Sequence, residues 1–155
     1  MTEQDWMITR HEAGHACALA CQGIPVAEVS SWPSGHGRDL GYTNFGLEAL
    51  VEDIDKTKAR KAAIAVLAGP GMADHPLPSW PLSPKGRGGD EHLLSAFCDY
   101  LKLDEKGYEA LTDEMWDLTF TRKFTRLFTA ITTWLERVPR MDRAMIAEAQ
   151  TIAWL

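Results

Sequence analysis

His11-Glu12-Ala13-Gly14-His15 is an HExxH motif, and its residue types and spacing carry the clearest chemistry in this chain. Residues four apart stand one turn apart on the same helix face, so both imidazoles can reach one metal ion. Neutral imidazole nitrogen suits zinc, at ~2.0–2.1 Å. Glu12 adjoins the first ligand and can reach the outer side of the metal. There a carboxylate can take a proton from a water whose pKa zinc has lowered to about 7. A chance match in a chain of this length is on the order of one in a hundred to one in two hundred. That weakens the alternative of two surface histidines with an i,i+3 Glu–His contact. Gly14 costs roughly 0.8–1 kcal/mol in a helix interior and so calls for close packing there.

A catalytic zinc takes a third protein ligand and keeps a fourth position open. The downstream candidates are His36, Asp74, His75, Asp90, Glu91 and His92, and spacing does not choose among them. Asp90 follows Gly88-Gly89 at a predicted helix start, where a carboxylate serves equally as an N-cap or as a ligand. His36 lies in a Gly-rich loop and is expected to be exposed. His92 is the best substitute for Asp90.

The motif needs a helix to present it. Thr2 and Asp5 form a weak capping box, and Ala-rich sequence continues from Glu3 to Gln22. Gly23 and Pro25 then stop the helix. Val26–Trp32 and Leu40–Phe45 read as two extended pieces of a small β-ribbon, with Pro33, Gly35 and Gly37 turning between them. A second helix is predicted from Asp53 to about Leu67. Gly69–Gly89 contains five prolines and reads as loop. Asp90 opens another helix, with Leu93, Leu94, Phe97, Tyr100 and Leu101 at helical spacing. Two more helices are expected from about Glu105 onward, one ending near Pro139 and one over Met141–Trp154. Trp116, Phe120, Phe124, Phe128 and Trp134 read as helical core rather than as a stacking surface for bases or a partner. The fold class is therefore mainly α (α+β), with a β-ribbon beside the motif helix.

Composition bounds the remaining choices. The chain has 155 residues, 45% hydrophobic and 25% charged, which suits one domain with a real core. Residues 1–103 hold the metal-site region and 104–155 the C-terminal helices. Lys and Arg number 16 against 22 Asp and Glu, a net charge of -6 that disfavours nucleic acid as a partner. Cys17, Cys21 and Cys98 show no framework spacing and are expected as free thiols in a reducing compartment. Cys17 and Cys21 share a helix face; buried small residues are the simpler account of them than metal ligands. Ala62–Ala68 is too short for the ~20 apolar residues of a bilayer span. Met1-Thr2-Glu3-Gln4-Asp5 lacks the basic and apolar regions of a signal peptide. A cytoplasmic protein without membrane contact is the expectation.

His11–His15 followed by Ala16 resembles the protease domain of the FtsH family of zinc metallopeptidases. Gly41-Tyr42-Thr43 is similar to that family's GYT, Thr57-Lys58 to the start of its next helix, and Val66-Leu67-Ala68-Gly69 to that helix's end. Ala73-Asp74 stands where the family has Ala-Glu-Glu. Gly88-Gly89-Asp90, then Leu94-Ser95, is similar to the segment holding the family's third zinc ligand. These pieces span about Trp6–Leu103. The resemblance implies a zincin-like helical fold, Zn2+ held by His11, His15 and Asp90, and Glu12 as catalytic base. It also implies that an extended substrate pairs with an edge strand, for which Val26–Trp32 and Leu40–Phe45 are the candidates. The departures are clear. The chain shows no GxxxxGK[ST] pattern and no spanning segment, and Gly69-Pro70-Gly71-Met72-Ala73-Asp74 replaces Gly-Arg-Ala-Ala-Glu-Glu. The implied function is zinc-dependent hydrolysis of peptide bonds in peptides or unfolded segments, without ATP dependence of its own. A homo-oligomer or a separate unfoldase stands open as partner. The rival readings are an inactive metal-bearing domain that binds peptides or a partner, and hydrolysis of a non-peptide amide.

Overall fold

The computed structural model describes residues 3–31, 42–44, 54–83 and 89–155. Among them are six helices: α1 (Glu3–Cys21), α2 (Lys56–Met72), α3 (Gly89–Tyr100), α4 (Glu105–Thr119), α5 (Arg122–Leu135) and α6 (Arg143–Ala153). Three short strands accompany them: β1 (Glu28–Ser30), β2 (Tyr42–Asn44) and β3 (Arg140–Asp142). The fold is mainly helical with a small antiparallel sheet. Thr2, His36, Gly41 and Gly88 lie outside the described residues.

Helix α1 ends where the glycine signal placed it. Gly23 has φ 79°, the left-handed conformation that glycine adopts at no cost. Its N–H donates to Ala20 O at 3.0 Å, and that of Ile24 to Leu19 O at 3.0 Å, the paired bonds of a Schellman motif. A continuous run from Ala13 to Ala20 is buried, and α2 is its main packing partner. Both helices meet through small side chains: a Cβ on Gly14 would stand only 2.5 Å from Ala68 O. Close packing is thus the reason for Gly14.

Helix α2 corrects the predicted loop. Asp55 caps it by accepting from Lys58 N at 2.7 Å, and it continues past Leu67 through Gly69-Pro70-Gly71 to Met72. Proline's φ is compatible with the helix; Pro70 forfeits its own N–H bond and crowds the carbonyl one turn back, close to the helix end. Arg10 Nε then donates to Met72 O at 2.9 Å, and Ala73 N and His75 N both donate to Pro70 O, so the terminal carbonyls are used. Burial of the whole stretch from Ala62 to Pro70 outweighs the poor propensity.

The C-terminal part is three helices, where two were expected. Thr121 caps α5 by accepting from Phe124 N at 3.2 Å, and its hydroxyl donates to Leu118 O at 2.7 Å. One residue therefore ends α4 and starts α5. Asp104 and Asp142 cap α4 and α6 similarly. Phe124 and Phe128 stack inside the core, with ring centroids 6.0 Å apart. Trp116 and Phe120 break the core expectation: Phe120 is 83% exposed at the α4–α5 corner.

The sheet order is β2-β1-β3, with Val29 opposite Thr43 on one side and Met141 on the other. Strand β3 was not expected. The piece at Val26–Trp32 supplies the central strand, so both of its edges are occupied and it cannot pair with a substrate. Directly opposed residues in antiparallel strands share a face. Val29 and Met141 are fully buried, so Thr43 is on the inward face, toward α1. One hydrophobic cluster runs from Ala13 to Ala149, and α5 packs on α1, so residues 104–155 share the core of the metal-site region.

Candidate metal centre

Helix α1 presents both histidines to the start of α3. Their rings lie edge to face, with centroids 4.7 Å apart. His15 is 2% exposed and sits between α1 and α2. Its Nδ1 donates to Ala65 O at 2.8 Å, and its Nε2 lies 3.1 Å from Asp90 Oδ2. His11 Nε2 lies 2.7 Å from the same oxygen. A single carboxylate oxygen, 79 residues downstream of His11 and 75 of His15, thus meets both imidazoles. Asp90 is the second residue of α3, past the cap position, and its side chain is 39% exposed. Its carboxylate engages both imidazoles.

Gly69 makes room for this arrangement. A Cβ there would run into the His15 imidazole, reaching 2.8 Å from Nδ1 and closer still to Cε1 and Nε2. The absence of a side chain on α2 is what seats the second ring. Sequence reasoning passed over Gly69 because Pro70 and Gly71 beside it read as loop. A glycine at the end of a buried small-residue run was the available signal.

Glu12 is buried on the β2 side of α1. Thr43 Oγ1 donates to its Oε2 at 2.7 Å and lies 2.9 Å from its backbone oxygen. Burial raises the Glu12 carboxyl above its ordinary value, against the pull of His15, His11 and the Thr43 hydroxyl. For His15, burial opposes the charge. The Asp90 carboxylate, through its charge and hydrogen bond, with Glu12 and the Ala65 carbonyl, outweighs it and lifts the imidazole to about 9. Burial likewise works against the Asp90 charge, but the two histidines hold that carboxyl well below the usual range.

These residues fit a metal ion. His11, Glu12 and His15 offer ligand atoms within 4.8 Å of one another. The Nδ1–Ala65 bond fixes the His15 ring and leaves Nε2 as the ligand atom, the outer-sphere support seen at metal-bound histidines. Tetrahedral zinc with ~2.0–2.1 Å bonds needs donors about 3.3 Å apart. The 2.7 and 3.1 Å separations to Asp90 would have to open by about 0.6 and 0.2 Å.

The other candidates stand apart. His75 is exposed at the rim, its ring centroid 5.7 Å from that of His11. Asp74 is exposed with φ 56°. Glu91 Oε1 accepts from Ser83 N at 3.3 Å. His92 is exposed. His36 lies outside the described residues. Cys17 is fully buried, which pushes its thiol well up, and burial raises Cys21 to about 11. Neither joins the metal-capable group. Sequence reasoning gave no independent role to Thr43 or to the Ala65 carbonyl; the latter leaves no side-chain trace to read. No protein-family model matches the chain, and no curated protein matches it either.

Proposed function

We propose that the chain is a zinc-dependent metallopeptidase that hydrolyses peptide bonds in peptides or in unfolded, flexible segments. In this reading His11, His15 and Asp90 hold the metal and Glu12 is the general base. The supporting observation is the convergence of two Nε2 atoms on Asp90 Oδ2, with one ring pinned through Nδ1 and a buried glutamate alongside. When bound, a zinc ion supplies Lewis-acid polarisation of a carbonyl and a water acidic enough to ionise near neutral pH.

The chain's own groups account for the remaining work. Ala65 O keeps the His15 ring oriented, and Asp90 brings negative charge to the site. Glu12, drawn upward by burial, suits taking a proton at its carboxyl and handing it to a leaving amine. Strand β2 is at the end of the sheet order among the described residues, and its Thr43 contacts Glu12. An extended substrate pairing with β2 would pass beside the base, and backbone pairing makes such recognition tolerant of sequence. The likeness to FtsH-type protease domains belongs to the same proposal. So does a cytoplasmic setting, supported by three free cysteines. No helix among the described residues is long and apolar enough to cross a membrane. A separate unfoldase or a homo-oligomer would extend the reach to folded substrates.

The test is elemental analysis together with cleavage of fluorescent casein, with and without chelator, on the parent, His11→Ala and Glu12→Gln. We expect zinc in the parent and in Glu12→Gln, its loss in His11→Ala, and chelator-sensitive cleavage by the parent alone. Equal cleavage by Glu12→Gln and the parent would end the mechanism. Zinc without cleavage would favour the metal-bearing binding domain.

A further inference from the structure

The proposed base has a partner on a different element. Thr43 is the hydrogen-bonding partner of the Glu12 carboxyl among the described residues, at 2.7 Å, and the same hydroxyl lies 2.9 Å from Glu12 O. One O–H group thus spans the side chain and the backbone of one residue. A buried carboxyl on a helix otherwise has several rotamers open to it. The clamp selects the one whose Oε2 points to β2.

The position of Thr43 is itself set by the sheet. It is paired with Val29, which is fully buried in the central strand, and Val29 is paired in turn with buried Met141. A slip of one residue would turn Thr43 to the opposite face and remove the hydroxyl from Glu12. Thr is also stiff at χ1, so the backbone register largely decides where Oγ1 stands.

We propose that Thr43 is a positioning residue for Glu12, holding the carboxyl in the orientation that the hydrolytic step uses. This rests on the peptidase reading above. It adds that the base is located jointly by helix α1 and strand β2, so that occupation of β2 by a substrate chain acts directly on the strand that orients the base.

The test compares Thr43→Val, which keeps the shape and removes the hydroxyl, with Thr43→Ser, which restores it. Zinc content, kcat and KM on fluorescent casein, and melting of the metal-free protein are measured for each. Thr43→Val should lower kcat by about 10–100-fold, the usual effect of losing a supporting hydrogen bond at such a site, with KM and zinc content unchanged. Thr43→Ser should recover most of that loss. The metal-free melting temperature should fall by about 2–4 °C in Thr43→Val, as for one lost hydrogen bond. In a Glu12→Ala background the same change should cost less than half as much.

Parental kcat in Thr43→Val, no recovery in Thr43→Ser, loss of zinc in Thr43→Val, or additive melting shifts would each overturn the positioning role. A parent protein that leaves casein uncut would instead remove the peptidase reading, and the positioning role with it. A parent that cuts casein as fast as Thr43→Val removes the role of Thr43 alone.

Discussion

Gly69→Ala places one methyl group where the His15 imidazole now lies. The new Cβ would approach Nδ1 to 2.8 Å and overlap the far side of the ring, well inside ordinary van der Waals contact. The ring has little freedom to yield. It is buried, held at Nδ1 by Ala65, and carried on a helix whose Gly14 already abuts Ala68 O. Overpacking of this kind costs about 1–3 kcal/mol. Replacing glycine by alanine within a helix returns about 1 kcal/mol, so the net loss of stability is about 0–2 kcal/mol. The effect on the metal is larger, because the displaced ring loses its bond to Ala65; a fall in zinc affinity of about 10–100-fold follows. Gly71→Ala is the control two residues away. Its Cβ would meet the flexible end of Met115 at 3.2 Å, which can shift aside. That variant should keep zinc and hold or gain stability. The assay is chelator-competition titration of zinc, with thermal melts of the metal-free proteins at 2–4 °C per kcal/mol, roughly. Parental zinc affinity in Gly69→Ala would refute the claim that His15 is seated by the missing side chain.

Asp90→Asn should weaken zinc binding by more than about tenfold while leaving α3 in place, since Asp90 stands inside the helix and its carboxylate faces the imidazoles rather than capping; unchanged affinity in the same titration would assign the third ligand elsewhere. Thr121→Ala should cost about 0.5–2 kcal/mol in denaturant unfolding without altering zinc content, because it removes the cap of α5 and the bond to Leu118 O, neither of which involves a proposed ligand. The Cys17 thiol, fully buried and shifted upward, should resist a maleimide reagent near neutral pH until denaturant is added. Rapid labelling of Cys17 in the native protein, read by peptide mass mapping, would contradict its packing.

How far the sequence reached depends on distance along the chain. His11 and His15 were legible because one helical turn joins them, and helical periodicity is a local property. Asp90 was singled out only through the likeness to FtsH-type domains, because its approach depends on how α3 docks, and no spacing rule spans 79 residues. The same limit hid Thr43, whose inward face is decided by a register that pairs it with Val29. Local punctuation misled at α2, where Gly69-Pro70-Gly71 reads as a stop but tertiary burial carries the helix to Met72. Thr121 was overlooked as a boundary because apolar periodicity resumes directly after it. Strand β3 has three residues, too few to show alternation, and it exists through its pairing with β1. The mainly helical class with a small sheet was legible because it rests on long periodic segments rather than on such details.

The return of the chain through β3 has a practical consequence for anyone wishing to shorten or transplant this protein. Every proposed ligand precedes residue 104, yet the strand bearing Val29 is flanked by Arg140–Asp142, and α1 leans on α5 through Arg10 set over the ring of Phe128 at 5.2 Å. An excised N-terminal fragment would carry the whole set of donors and lack the buttress that keeps them aligned. Portability of the site therefore requires both halves, supplied in one chain or as two pieces able to reassemble.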